Sequence, residues 1–191
     1  MVFRSIFSKT QTAVGLIALL LVLPGCPLSP EGDNGGGGDG NDRIPERTSI
    51  RGAIDLYAYA WQRKELTLYQ QLLHDEFEFV PYSEDGTDFS WIPEDGWGRT
   101  VELDIAAHMF DDAFASSETG ETIATIEMTL SIQDERTVEG EVLVTTAADI
   151  LVLSPQSNGH RSDVRFVFTV VGDSDEPGKF QIKRQEELAA F

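Results

Sequence analysis

Cysteine is almost absent from this sequence. Cys26 is the single thiol in 191 residues, which excludes an intramolecular disulfide and any Cys-based zinc cluster. Histidine is nearly as scarce, at three. No two-His metal spacing, no nucleophile elbow and no phosphate-binding glycine loop occurs. Metal and nucleotide cofactors therefore have no support, and none is expected. Cations are few, 14 Lys+Arg against 33 Asp+Glu, for a net charge of −19. Phosphate binding needs clustered Lys and Arg, so nucleic acid is excluded as a partner. Electrostatic docking on anionic lipid is disfavoured for the same reason. No apolar run is long enough to cross a bilayer. Ala13 to Leu23 is eleven residues, against the roughly 20 a spanning helix needs.

That short run is informative in its context. Arg4 and Lys9 form a basic flank before it, the pattern of a secretory signal over residues 1–25. It ends in Leu23-Pro24-Gly25-Cys26. The tetrapeptide resembles the bacterial lipobox, with Leu at −3, a small residue at −1 and then the Cys that receives lipid. The resemblance implies a diacylglyceryl group on the Cys26 thiol and cleavage before it. Several acyl chains, at about 0.8 kcal/mol per buried CH₂, anchor stably where one is marginal. The expected location is the bacterial cell envelope, facing outward from the cytoplasm. In a diderm host the absence of Asp at position 27 points to the outer membrane.

Residues 26–46 read as a tether. Pro27 to Pro45 is rich in Gly, Asp, Asn, Ser and Pro, with no periodic apolar pattern. A Gly-rich coil of that length spans about 24 Å on average. Gly37 to Pro45 fits the calcium-binding nonapeptide pattern, yet such turns need about three stacked repeats, and one is present. A linker is the better reading.

The period then changes. Ile50, Ile54, Tyr57 and Trp61 mark one face of a helix over about 49–63, with Thr48 and Ser49 as candidate caps. Leu66, Tyr69, Leu72 and Leu73 give a second, shorter helix, ended by His74-Asp75. Phe77 and Phe79 alternate with polar neighbours in a short strand. Tyr82 to Trp97 is a long acidic loop that nonetheless carries Phe89, Trp91 and Trp97, so it is expected to fold over something. A third helix covers about 100–112, with Leu103, Ala106, Ala107 and Phe110 on its buried face and Glu102 in its first turn for the dipole. Four strands follow, separated by turns at Gln133–Thr137, Pro155–Gly159 and Gly172–Gly178. Helices before a run of strands mean an α+β domain, here residues 47–191, with a bent antiparallel sheet under three helices.

The element order resembles the NTF2-like (SnoaL-like) superfamily. Tyr69 through Leu72-Leu73-His74-Asp75 to Phe77 and Phe79 is similar to that family's approach to its first strand. Trp97-Gly98-Arg99 with Glu102 and Met109-Phe110 resembles its third-helix segment, and Phe180-Gln181-Ile182-Lys183 to Glu186 its closing strand. The resemblance implies a cone with a pocket between curved sheet and helices. That cone hosts dehydratases, isomerases, polyketide cyclases and transport factors, together with many non-catalytic ligand-binding or dimerisation modules, so the fold does not settle function. A homodimer is left open.

Candidate pocket residues are Tyr57, Trp61, Phe79, Trp91, Trp97, His108, Asp149 and Arg165. Asp149 stands alone in an apolar run and should be paired, with Arg165 or Lys183 as partners across the sheet. His74 and His160 read as surface residues, and His108 as a rim residue. No His falls inside an expected strand, so the His/Asp pairing of the family's dehydratases has no obvious counterpart, and no catalytic residue is assigned. The expected function is an envelope lipoprotein whose NTF2-like domain binds a small molecule or an envelope protein without catalysis. A cofactor-free lyase or isomerase, and an acidic structural spacer, are the alternatives. Cys26→Ser, expressed in the native host, should leave the membrane fraction and lack the acyl mass of the wild type. Retention in the membrane with no acyl mass on the wild type refutes the anchor.

Overall fold

The computed structural model describes residues 43–82, 96–115, 120–156 and 159–189. The signal segment, Cys26, most of the tether and Trp91 lie outside the described residues. Ile44–Phe191 falls within one compact unit. Among the described residues no helix is long and apolar enough to cross a membrane.

The described residues form three helices and six strands in the order α1 (Ile50–Arg63), α2 (Leu66–Leu72), β1 (Leu73–Val80), β2 (Trp97–Gly98), α3 (Arg99–Phe110), β3 (Thr125–Val138), β4 (Glu141–Leu153), β5 (His160–Gly172) and β6 (Phe180–Leu188). The strands form one sheet in the order β2-β1-β6-β5-β4-β3. Its pairs are antiparallel except β1 with β6, which is parallel. Register shifts at Leu73/Glu78, Ile132/Asp134 and Thr169/Val170 bend the strands. The result is an α+β domain with a curved, mostly antiparallel sheet under three helices, as the sequence reading expects.

α1 forms where its spacing says it should. The Ser49 side chain accepts from the Gly52 amide, and Lys64 closes the helix in the left-handed region at φ 56°. Gly52 is required by contact rather than by conformation, because a Cβ there would lie 2.0 Å from the Glu46 carbonyl oxygen. α1 buries Ala53, Ile54, Tyr57 and Ala60 against the inner face of the sheet, where Val144, Phe168, Val170 and Ile182 point. Its end is tied to the sheet by polar bonds. Gln62 donates to the Met128 carbonyl, and Lys64 Nζ donates to the Ile123 carbonyl at 2.5 Å and pairs with Asp112.

Local boundaries differ from the sequence reading in four places. His74 and Asp75 do not end α2; they belong to β1, which starts at Leu73. Trp97-Gly98 pairs with β1 as a two-residue strand instead of closing a loop. α3 runs from Arg99 to Phe110, so Asp111 and Asp112 lie beyond it. Gln133–Thr137 is not a turn. β3 continues through a bulge to Val138, and the chain reverses at Glu139-Gly140, both at positive φ (54° and 92°). Two successive left-handed residues are the backbone of the hairpin turn that matches strand twist.

The start of the domain is fixed by a buried charge cluster. Arg47, 7% exposed, reaches Asp173 at 2.5 Å and Glu176 at 2.5 Å, and its carbonyl accepts from Phe180 N. Burial pushes the Asp173 carboxyl up, but the Arg47 hydrogen bond and the amides of Asp175 and Glu176 outweigh it and hold the group below its ordinary range. Removing one partner of a buried pair strands the other. Arg47→Ala should therefore cost about 3 kcal/mol, or roughly 6–12 °C of melting temperature for a domain of this size. Calorimetry at neutral pH checks it, and a shift within a degree or two would show the cluster to be solvated.

Candidate functional site

The interior polar groups collect where α1, α2 and α3 meet the sheet. Tyr57 and Trp61 are four residues apart on α1 and so share a face. Their rings lie 6.3 Å apart, and Tyr69 from α2 packs edge-on against both at 5.5 and 5.6 Å. Phe110 of α3 closes on Trp61 at 5.1 Å and on Tyr69 at 6.1 Å. Phe168 of β5 meets Tyr57 at 5.1 Å from below, and Phe166 follows it at 5.7 Å. Most of these contacts are tilted or edge-to-face, the arrangement that ring quadrupoles favour.

Into this aromatic cluster α3 inserts Glu102, 4% exposed. The Tyr69 hydroxyl donates to its Oε1 at 2.5 Å, and the Trp97 indole N–H donates to its Oε2 at 2.7 Å. The Trp97 ring is itself stacked on Phe79, its cross-strand neighbour, at 4.3 Å. One row deeper, the Tyr57 hydroxyl donates to Gln185 Oε1 at 2.9 Å, and Gln185 is 3% exposed. Burial raises the Glu102 carboxyl above its ordinary value, more than the two donated bonds lower it. Desolvation, reinforced by the nearby Glu102 charge, raises the Tyr57 and Tyr69 hydroxyls too, so both stay protonated donors.

Two inward polar atoms differ from these. Thr146 Oγ1 is buried with no hydrogen-bond partner among the described residues, and Trp61 Nε1, buried and without a well-formed hydrogen bond there, lies near enough to the Tyr57 hydroxyl to hold that group's pKa down. Thr146, 0% exposed, sits on β4 between inward-facing Val144 and Ala148, across from Phe166. An unmet buried group costs about 1–3 kcal/mol, which a bound acceptor or an ordered water would offset.

The structure places the sequence candidates in three groups. Tyr57, Trp61, Phe79 and Trp97 join the interior cluster. His108 stays at the rim: 48% of its side chain is exposed, and it stacks on Phe114 at 4.3 Å, 4.0 Å from Asp104. Asp149 and Arg165 are not paired with each other. Asp149 is bound by Arg161 at 2.9 and 2.5 Å on the exposed side of the sheet, and Arg165 donates to the Ala189 carbonyl. Lys183, the other partner considered for Asp149, pairs instead with Glu141. Trp91 falls outside the described residues. Sequence reasoning missed Glu102, placed in the first turn of α3 for its dipole; the structure buries it. Its signal was present, since Glu102, Ala106 and Phe110 lie at four-residue steps on one helical face. Among the described residues no group of three or more His, Cys, Asp or Glu is arranged to hold a metal.

No family model and no curated protein matches the chain. Solved structures do match in shape. A putative scytalone dehydratase from Novosphingobium aromaticivorans superposes with a TM-score of 0.55 at 16% identity, covering 74% of this chain and 82% of that one. An NTF2-like superfamily protein from Salmonella enterica gives 0.51 at 12% identity, with 73% and 87% covered. A conserved protein from Planctomyces limnophilus gives 0.52 at 14%, with 72% and 90% covered. At these identities the likeness carries the fold alone, and that fold is NTF2-like.

Glu102 yields a pH test. Its folded carboxyl titrates above the unfolded one, so its contribution to stability is complete below the ordinary Glu range and is lost as pH rises through the folded value. Gln at this position can accept from Trp97, while Tyr69 turns from donor to acceptor. The stability of Glu102→Gln relative to wild type should therefore improve as pH rises from acid to neutral. Denaturant unfolding across that range reads it, and a constant difference would mean that Glu102 is not desolvated.

Proposed function

We propose that this chain is a lipid-anchored envelope protein whose NTF2-like domain binds a small, largely apolar molecule bearing a hydrogen-bond acceptor, without transforming it. The observation that carries the reading is the division of interior polar groups into satisfied and unsatisfied sets. Glu102 has one donor on each oxygen, and the Tyr57 hydroxyl is committed to Gln185. Among the described residues Thr146 Oγ1 lacks a partner, and Trp61 Nε1 has only the neighbouring Tyr57 hydroxyl, with no well-formed hydrogen bond. Groups that already satisfy one another position a site; groups left over recognise what enters it. The anchor rests on the lipobox-like segment at Cys26 and the tether after it.

A second reading has one specific observation in its favour. Glu102 is a buried carboxyl with a raised pKa beside two phenols, the kind of group that serves as a general acid or base in a lyase or isomerase. The bond to Trp97 would then have to yield to substrate.

Thr146→Val separates binding from packing. It keeps the branched shape and deletes the orphan hydroxyl, so the empty domain should be unchanged or about 1 kcal/mol more stable. Small molecules that co-purify from the native host, identified by mass spectrometry after denaturation, should be lost from Thr146→Val or from Trp61→Phe. Equal retention by both variants sinks the binding site as drawn. If Glu102→Gln keeps the captured molecule bound but stops its conversion to a product, the enzyme reading replaces the binding one.

A further inference from the structure

Positive charge is placed unevenly along this chain. Of its 14 Lys and Arg residues, Arg4 and Lys9 lie in the signal segment, and Arg43 is the one cation between Cys26 and Glu46. The stretches that join the elements of the domain, Pro81 to Gly96, Asp111 to Ala124 and Ser154 to Gly159, hold none. Most of the others lie within α1, α3, β3, β5 and β6. Arg47, Lys64 and Lys179 do not, but their backbones are bonded. Phe180 N donates to the Arg47 carbonyl at 2.8 Å, and Asp173 N donates to the Lys179 carbonyl at 2.9 Å. Lys64 N donates to the carbonyls of Ala60 and Trp61.

Arg43 and Ile44 differ from all of these. Both are exposed, and both lie outside any helix or strand. Ile44 is an exposed apolar residue at 48%. Pro45 follows it and biases its backbone towards the extended region. An extended, accessible segment is what a protease cleft takes up, and chain ends and exposed connections are where nicking concentrates. A helix or a paired strand has to open first, which costs up to the whole stability of the domain. Three residues beyond Ile44 the chain is fixed, because Arg47 is gripped by Asp173 and Glu176. A cut between Arg43 and Ile44 therefore leaves that cluster and every element of the domain intact.

We propose that the Arg43–Ile44 bond is a processing site at which a protease specific for basic residues severs the domain from its lipid anchor. The inference rests on the anchored reading above and adds a way out of it. The class of protease follows from the side chain: a carboxylate at the floor of the specificity pocket takes the Arg43 guanidinium. Water is added across the peptide bond. Arg43 keeps the carboxylate, on the stub that stays with the lipid, and Ile44 becomes the ammonium terminus of the free domain. An envelope-bound domain is thereby made diffusible, with the interior site between helices and sheet untouched.

The test has an arm in solution and an arm in the native host. Trypsin acting on the full chain in detergent, followed by mass spectrometry, should make one early cut and leave Ile44–Phe191 whole, any second cut being at least about a hundredfold slower. In the native host the soluble fraction should hold a form whose first residue is Ile44. Arg43→Gln should abolish that form while the acylated chain accumulates, with the melting temperature of the wild type. Equally early trypsin cuts inside the domain, at Arg136 or Lys179, overturn the proposal. An acylated wild type with no soluble form beginning at Ile44 overturns it alone, as does release that is unchanged in Arg43→Gln. A wild type without acyl mass overturns the anchored reading and this proposal together.

Discussion

A carboxyl group taken out of water joins three elements that have little else to hold them. α2 is seven residues with no side-chain cap, and α3 begins at Gly98 without one. Short uncapped helices are marginal by themselves. Tyr69 from α2 and Trp97 from β2 both donate to Glu102 of α3, so one desolvated group fixes the azimuth of α3 and the distance between two helices. Arg99, three residues before Glu102 and so on the neighbouring side of the same helical turn, donates to the carbonyls of Gln70 and Leu73 where α2 runs directly into β1. With α2 and α3 set, Phe110 reaches Trp61 and Tyr69, and the aromatic cluster closes over the sheet.

The domain holds a second buried charge, and it responds to protons in the opposite sense. Asp173 is held below its ordinary range by Arg47, so its contribution persists above the normal Asp value and fades as pH falls through the folded one. Glu102 is held above its ordinary range, so its contribution fades as pH rises. The first ties the start of the domain to the β5–β6 turn; the second ties α3 to its neighbours. Acid loosens one and base the other, and the pH at which both are intact is bounded by the two folded values.

How much could be read from sequence depended on whether local pattern and tertiary burial agreed. α1 was legible because Ile50, Ile54, Tyr57 and Trp61 all face the core, and the antiparallel order of β3 to β6 followed from their alternation and turns. The end of β3 was illegible for a physical reason. It is an edge strand wetted on both faces, with a bulge near Gln133 that breaks the period of two, so a polar run looked like a turn while the true turn at Glu139-Gly140 was passed over. The parallel pairing of β1 with β6 joins residues more than a hundred positions apart and leaves no local trace. Glu102 was hidden by a sound rule: acids in a first helical turn usually answer the dipole from solvent. Only the phase shared with Ala106 and Phe110 contradicted it. Tyr57, Trp61, Phe79 and Trp97 do turn inward, as large rings at helical or strand spacing usually do. Asp149 was expected to be paired, and it is, but Arg161 rather than Arg165 or Lys183 supplies the charge: both arginines stand two residues from Asp163, the position opposite Asp149, and Arg165 is drawn instead to the Ala189 carbonyl.

The long edge strand shows how this sheet avoids pairing edge to edge. An exposed strand of 14 residues is ordinarily a template for another chain. In this sheet it is closed in several ways. Gln62 of α1 occupies the Met128 carbonyl near its beginning, and Lys64, just after α1, holds the Ile123 carbonyl in the segment leading into it. The Gln133 side chain turns back onto the Ser131 carbonyl at the bulge. Beyond the bulge Glu135 stands opposite inward-facing Val144, so a strand added there would meet a carboxylate on the side it most needs to be apolar. The other edge, β2, is two residues long. With both edges blunted and most of the surface acidic, extended backbone pairing is disfavoured on either side. What remains exposed along the sheet is the side-chain chemistry of its outer face, where Glu141, Lys183 and Arg184 stand.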